Sequence, residues 1–486
     1  MIPESSNKMP FKRCRRFRLK SIIPLNKNGL LTKAGVKQYQ KRFMQENHNR
    51  LYGTAYDMEV GMSDRIHIGQ RMKNVIVIGA SETGKSYNYI LPNLLTESHS
   101  AVVLDSFDTL YKKCSDHLQG RGHKVWHFNI ADAEHSCRFN PFKHIANKKL
   151  LVDMLCSFLL ISEKETYSDR NPYYTKLENL IFRKIAEYVT ESDELNEDDR
   201  TLETVTKILN KLDDAPWINN IQYEKSLLQR LKLPDDDKTL KCYHNAVWGL
   251  KIRLMPLFDK NTTDCFTETF DTDNINIEVL GSKQSYLFIG GIENVHFLEL
   301  DTGFYNRLLA MLTYSVGIAV QSYAERCLID NTMLHSSHFL PHPLHYYLDD
   351  FQCYRFPLMS TVFTDRRYGI SCSYIVQDIE RLEKLYGKDW LTFYYTCDAL
   401  ICTGTMLHKN VEFIFNSCGR LYSSASSRDL YIPKVQYDTE EYQNSKPVIA
   451  VNDILKLKEE GKWLVSIRDI YPVICDKPDP QNYRKD

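Results

Sequence analysis

The run Gly79-Ala80-Ser81-Glu82-Thr83-Gly84-Lys85-Ser86 fits the pattern G-x-x-x-x-G-K-[ST]. That spacing suits the binding of phosphate. Glycines permit a tight turn, successive backbone N–H groups converge on phosphate oxygens, and the following helix N-terminus adds a favourable dipole. Lys85 would neutralise the β- and γ-phosphates of a nucleotide, and the Ser86 hydroxyl would ligate magnesium. The bland alternative is a Gly-containing strand–helix turn. Glu82 is the discordant member, because a carboxylate in the loop either faces outward or weakens phosphate binding.

A phosphate loop of this kind needs a carboxylate on a neighbouring strand. His345-Tyr346-Tyr347-Leu348-Asp349-Asp350-Phe351 supplies an apolar strand ending in two acids. Asp349 would bind magnesium and Asp350 would polarise the attacking water. Taken alone, such a pair at a strand end is more often a turn signal. With the loop upstream it reads as part of the site. Gln377 follows the strand Ser371–Val376, where its amide would sense the γ-phosphate. Arg366 and Arg367 precede that strand; each is either an arginine finger for a neighbouring subunit or an exposed structural arginine.

The elements that must hold these residues are legible from apolar patterning. Val75–Ile78 and Ala101–Leu104 are short apolar runs of the kind buried on both faces of a parallel sheet, with a helix between them. That is a βαβ opening and predicts an α/β fold. Strand-like runs return at Ser285–Ile289, His345–Leu348, Ser371–Val376, Ala399–Thr403, Trp463–Ile467 and Pro472–Cys475. Between the two sets, Lys176–Val189, Thr201–Leu212 and Tyr243–Leu254 show helical spacing, separated by acidic loops. The expected organisation is a basic N-terminal arm at 1–50, a nucleotide-binding domain in two segments at 51–149 and 265–486, and an all-helical insertion at 150–264.

Composition narrows the classes. A chain of 486 residues with 43% apolar and 26% charged residues is globular and holds two or three folding units. The formal net charge of zero hides an asymmetry: residues 1–50 carry 13 Lys/Arg against 2 Asp/Glu. The cluster Lys12–Arg18 reads as a solvated tail or as a polybasic arm for nucleic acid or acidic lipid. No run reaches the ~18 apolar residues of a membrane-spanning helix, and no apolar leader is visible. Thirteen cysteines without a CxxC pair point to a reducing, intracellular setting rather than to zinc or a disulfide framework.

The order of these motifs resembles the coupling proteins of type IV secretion and conjugation systems, the TraG-like family of RecA-type motor ATPases. The resemblance starts at Leu51-Tyr52-Gly53-Thr54-Ala55 and takes in Asn74–Ser86, Asn140-Pro141-Phe142, Asn171-Pro172-Tyr173-Tyr174 and Tyr347–Phe351. It continues through Arg366–Ser371, Gln377, Leu382, Leu385-Tyr386-Gly387 and Thr403-Gly404, so it spans roughly 430 residues. It implies a P-loop RecA-like domain interrupted by an all-helical insertion that helps select cargo. It also implies ATP and Mg2+ as cofactors, a homo-hexameric ring, and delivery of a relaxase–DNA complex to a secretion channel. Lys85 and Ser86 match the family's phosphate and magnesium residues, Asp349 its strand-end aspartate, Arg366 its finger and Gln377 its sensor.

The departures are specific. The family usually has Asp-Glu at Asp349-Asp350, a more glycine-rich loop at Glu82, and Asp-Pro-Lys-Gly at Asp105-Ser106-Phe107-Asp108. Most members also begin with membrane-spanning helices. Nucleotide binding is therefore a firmer expectation than hydrolysis. Two alternatives stand beside the motor: a catalytically weakened nucleotide-binding adaptor of the same machinery, and a DNA-segregation or packaging translocase. The expected location is cytoplasmic, with membrane association only through partners.

Overall fold

The computed structural model describes residues 30–44, 49–63, 74–96, 99–160, 172–213, 229–233, 237–292, 299–329, 340–357, 363, 367–421, 431–432, 446–468 and 472–484. Most of the basic arm, with its Lys12–Arg18 cluster, and Arg366 lie outside these residues.

Apolar runs with little alternation form the centre of the sheet, where both faces are covered. In chain order the strands are β1 Asn49–Ala55, β2 Met58–Ser63, β3 Asn74–Ile78, β4 Ser100–Leu104, β5 Lys124–Asn129, β6 Ser285–Gly290, β7 Leu344–Leu348, β8 Ile370–Val376 and β9 Cys397–Cys402. They are followed by β10 Arg420–Leu421, β11 Tyr431–Ile432, β12 Lys446–Pro447, β13 Lys462–Ile467 and β14 Val473–Asp476. Eleven of them form one sheet in the order β2-β1-β14-β13-β9-β3-β8-β7-β4-β6-β5, and β11-β10-β12 form a small second one. From β9 to β5 every pairing is parallel; from β2 to β13, and between β13 and β9, every pairing is antiparallel.

The antiparallel wing begins with a hairpin that lacks the usual turn chemistry. Tyr56 and Asp57 both occupy the left-handed region, at φ 54° and 61°, between β1 and β2. A two-residue hairpin turn requires such angles and usually takes Asn-Gly or Asp-Gly to reach them.

Register decides what the sheet can do. Ile78 pairs with both Val376 and Cys402, and Leu104 with both Leu348 and Ile289. The residues that follow these strands (Gly79, Gln377, Thr403, Asp349 and Asp105) therefore emerge along one edge. The order also corrects the expected adjacency: β7, which carries the carboxylates, is not beside β3, because β8 lies between them. Gln377, at the end of β8, thus sits between the phosphate loop and the acids.

Every described regular element between β5 and β6 is helical. The helices Pro172–Glu191 and Asp237–Arg253 are pinned by a buried ion pair, Arg253 Nη2 to Glu178 Oε2 at 2.6 Å. The close approach is fitted to Gly249, where a Cβ would lie 2.4 Å from Glu178 Oε1. Their apolar side chains join one continuous cluster with those on one face of the sheet. The helix Glu299–Ile329 belongs to that cluster through Leu308, Leu309 and Leu312, all fully buried. Among the described residues no helix is long and apolar enough to cross a membrane. The opposite face is covered by the helical residues Tyr89–Leu95 and by Leu110, Cys114 and Leu118 of the helix Thr109–Gly120.

Candidate nucleotide and magnesium site

The loop Gly79–Gly84 leaves β3 and is sewn to its two neighbouring strands. The Gly79 N–H donates to the Val376 carbonyl at 3.1 Å and the Ala80 N–H to the Gly404 carbonyl at 2.9 Å. At Gly79 a Cβ would lie 1.8 Å from Thr403 Oγ1, so only glycine fits. Thr83 is fully buried; its hydroxyl donates to the Ala80 carbonyl at 2.8 Å and shares a 2.6 Å hydrogen bond with Thr403. Gly84 sits at φ 90°, where a Cβ would come 2.2 Å from Asn88 Oδ1. Glu82 and Ser81 are exposed, Glu82 at φ 61°. The Glu82 backbone angle costs ~1 kcal/mol for a side chain bearing a Cβ.

The helix after the loop opens with a π-helical turn, Lys85–Ile90, before continuing as Leu91–Leu95. Such turns are frequent at functional sites. Lys85 is buried and its Nζ donates to the Ala80 carbonyl at 2.7 Å. Burial lowers its pKa, while the charges of Asp349 and Asp350 act the other way.

Ser86 donates its hydroxyl to Asp349 Oδ2 at 2.5 Å. The other Asp349 oxygen accepts the Asp350 N–H at 3.1 Å, and Asp350 adopts a left-handed backbone at φ 47°. Burial, and then the charge of Asp350, raise the Asp349 carboxyl to about 7, against the opposing pull of the Ser86 hydrogen bond and Lys85. A hydroxyl and a carboxylate oxygen in contact, beside a glycine-lined anion cradle, form a donor set suited to Mg2+ and a nucleotide phosphate. The residues present fit both.

Gln352 and Asn410 carried no readable signal, and Asp105 entered only as the first residue of a departure from the family pattern. Gln352 is buried; its Nε2 donates to Asp350 Oδ1 at 3.1 Å and its Oε1 accepts the Gln377 N–H at 3.0 Å. Asn410, fully buried, donates to the Gln377 carbonyl at 2.8 Å and to Thr405 Oγ1 at 3.2 Å. Asp105, at the end of β4, accepts the N–H groups of Thr109, Leu110 and Tyr111 at 3.1, 2.7 and 3.1 Å and so caps the next helix. Burial raises its carboxyl to about 6 in spite of those bonds.

Beneath the loop, His345 shares hydrogen bonds of 2.7 Å with both Ser371 and Ser373. Tyr89 reaches the Ser373 hydroxyl at 2.8 Å, and Arg50 Nη2 donates to Ser371 at 3.1 Å. Burial, together with Arg50 and His99, holds the His345 pKa well below its ordinary value, so the imidazole is neutral. The strands under the site are tied to its helix by polar contacts as well as by packing.

Lys85, Ser86, Asp349, Asp350 and Gln377 thus meet at one edge of the sheet. Arg366 lies outside the described residues. Arg367 is exposed, beside Tyr368, just before β8 begins. That is the opposite edge of the parallel sheet, so Arg367 is remote from the cradle of its own chain.

Two family models match the chain: Type IV secretory system Conjugative DNA transfer over residues 26–234, and TraM recognition site of TraD and TraG over residues 343–459. No curated protein matches it in sequence. Among solved structures, the plasmid coupling protein TrwB in complex with ADP and Mg2+ superposes with a TM-score of 0.62 at 14% identity, covering 93% of each chain. TrwB with a non-hydrolysable ATP analogue gives 0.60 at 14% identity, again covering 93% of each chain. An unbound form of the bacterial conjugative coupling protein TrwBdeltaN70 gives 0.59 at 13% identity, covering 90% of this chain and 91% of that one. The shared architecture is the P-loop RecA-like α/β fold.

Proposed function

Because the chain belongs to the type IV secretion and conjugation coupling-protein family, we propose that it is an ATP-hydrolysing motor that drives DNA into a conjugation channel. The observation that carries this reading is the Ser86–Asp349 pair, held beside Lys85 at the mouth of the phosphate loop. The TrwB structures with ADP and Mg2+ and with an ATP analogue support ATP and Mg2+ as its cofactors.

In this reading the N–H groups of residues 79–86 cradle the phosphates and Lys85 neutralises them. Ser86 and Asp349 would hold magnesium, which would supply further neutralisation of phosphate charge. Asp350 accepts a proton from the attacking water, and Gln377 senses the γ-phosphate from between the two halves of the site. Arg366 serves as the finger of a neighbouring subunit in a homo-hexamer. The partners are DNA, a relaxase and components of the secretion channel, with attachment to the inner face of the cell membrane through them. The helical segment at 150–264 is assigned as the cargo-docking insertion between the nucleotide-binding segments 51–149 and 265–486.

A second reading, a nucleotide-binding adaptor of the same machinery, is favoured by Glu82 in the phosphate loop and by Asp350. Asp350 is a methylene shorter than glutamate, and a misplacement of about 1 Å can cost ~100-fold in rate. Turnover of Mg·ATP with and without single-stranded DNA separates the two. The motor predicts DNA-stimulated turnover together with a nucleotide-dependent rise to hexamer mass. Binding without turnover selects the adaptor, and a persistent monomer overturns the role of Arg366. Stimulation by double-stranded DNA alone would favour a segregation or packaging translocase.

A further inference from the structure

We infer that Gln352 is a positioning residue for hydrolysis, locking the Asp350 carboxylate and the end of β8 into one unit. The inference rests on the ATPase reading above and deepens it at the same site. Gln352 lies in the short turn Phe351–Cys353 that follows the acids, with 6% of its surface exposed. Its amide is read at both ends. The nitrogen faces a carboxylate oxygen, Asp350 Oδ1, at 3.1 Å, and the oxygen faces a backbone donor, the Gln377 N–H, at 3.0 Å. Flipping the amide would set N–H against N–H and oxygen against carboxylate, so the network fixes its orientation.

The consequence for Asp350 is geometric. Its backbone is held in the left-handed region, and its carbonyl accepts the Cys353 N–H at 2.8 Å. With Oδ1 held by a neutral donor the carboxylate is oriented, and Oδ2, which accepts no hydrogen bond among the described residues, is placed to orient a water. A short aspartate tethered in this way gains the precision that a general base requires.

The consequence for Gln377 is complementary. Its N–H is held by Gln352 and its carbonyl by Asn410, which also binds Thr405. Its backbone is therefore fixed from both sides. Among the described residues its side-chain amide takes part in no hydrogen bond. Gln352 thus joins the residue assigned to water activation to the residue assigned to γ-phosphate sensing.

The test uses the full chain with Mg·ATP, and a non-hydrolysable ATP analogue as the binding probe. Gln352→Met keeps the length of the side chain and removes both bonds. Gln352→Glu keeps an acceptor for the Gln377 N–H but turns an acceptor toward Asp350. Both variants should bind the analogue within about threefold of wild type while kcat falls ~10- to 100-fold. A cycle with Asp350→Asn should be strongly non-additive, because the two residues act as one unit.

A folded Gln352→Met variant with wild-type kcat, or an additive cycle, overturns the role of Gln352 alone. If Gln352→Met fails to fold, Gln352→Glu carries the test, and wild-type kcat in that variant overturns the role equally. A wild-type chain that binds the analogue but never turns over Mg·ATP overturns the motor reading, and this inference with it.

Discussion

The Ser86 hydroxyl donates to Asp349 Oδ2 at 2.5 Å although a whole strand, β8, separates the strands that precede them. Adjacent strands lie ~4.8 Å apart, so the gap between β3 and β7 is about 10 Å. The Ser86 and Asp349 side chains meet across the end of β8. The site is consequently a three-strand assembly of phosphate loop, Gln377 and acids, and Gln377 owes its central place to the strand order.

The cradle should be intolerant of one methyl group. Gly79→Ala sets a Cβ 1.8 Å from Thr403 Oγ1, against a threonine that also bonds Thr83. The loop must shift or the Thr83–Thr403 bond must break. Affinity for an ATP analogue should fall about tenfold or more, with the melting temperature also lowered; overpacking of this kind typically costs ~1–3 kcal/mol. Calorimetric titration and thermal melts of Gly79→Ala check both, and Thr403→Ser should recover neither, because it retains the clashing hydroxyl.

Asp105 should leave a signature in the pH dependence of stability. Its carboxyl is raised from 3.8 to about 6 in the folded chain, chiefly by burial. Between these values the folded state binds more protons than the unfolded state, so this group's contribution to stability falls as pH rises from about 4 to about 6 and is flat above. The full effect is on the order of 3 kcal/mol. Asp105→Asn removes the titration and keeps an acceptor for the helix N–H groups. Melts of both chains from pH 4 to 7 should show a difference curve that slopes in that window only. A flat difference curve contradicts the assignment.

What was legible in the sequence follows the range of the interactions. Gly79 to Ser86 and Asp349-Asp350 are local patterns set beside apolar strands, and their chemistry is carried by residue type and spacing. Gln352 and Asn410 are ordinary polar residues whose roles exist only because β7, β8 and β9 end along one edge, whereas Thr403 was legible as part of a motif but not as the partner of Thr83. Asp105 reads as a plain strand-end acid until the helix it caps is seen. The expected adjacency of β3 and β7 failed for a related reason, since strand order in a parallel sheet depends on crossovers between distant segments. The β1–β2 hairpin gave no sign because its turn is Tyr56-Asp57 instead of a glycine-containing pair.

The N-terminal arm can be tested without disturbing the fold. Leu31, Val36 and Tyr39 are buried, and the helix Lys33–Phe43 packs beside the first hairpin, so a deletion should end at residue 29. If the arm binds DNA, its removal should flatten the salt dependence of single-strand binding by ~0.7 in log–log slope for each phosphate the arm neutralises. An unchanged slope returns the arm to a solvated tail. Fluorescence anisotropy over a salt series reads the difference directly.

The most direct test of the site is the magnesium dependence of ATP-analogue binding in wild type and Asp349→Asn. If Ser86 and Asp349 share a magnesium ion at the nucleotide, Mg2+ should tighten binding to the wild-type chain by about tenfold or more. Asp349→Asn should retain the magnesium-free affinity and lose most of that gain. An Asp349→Asn variant that responds to Mg2+ as fully as wild type would contradict the shared ligation by Ser86 and Asp349.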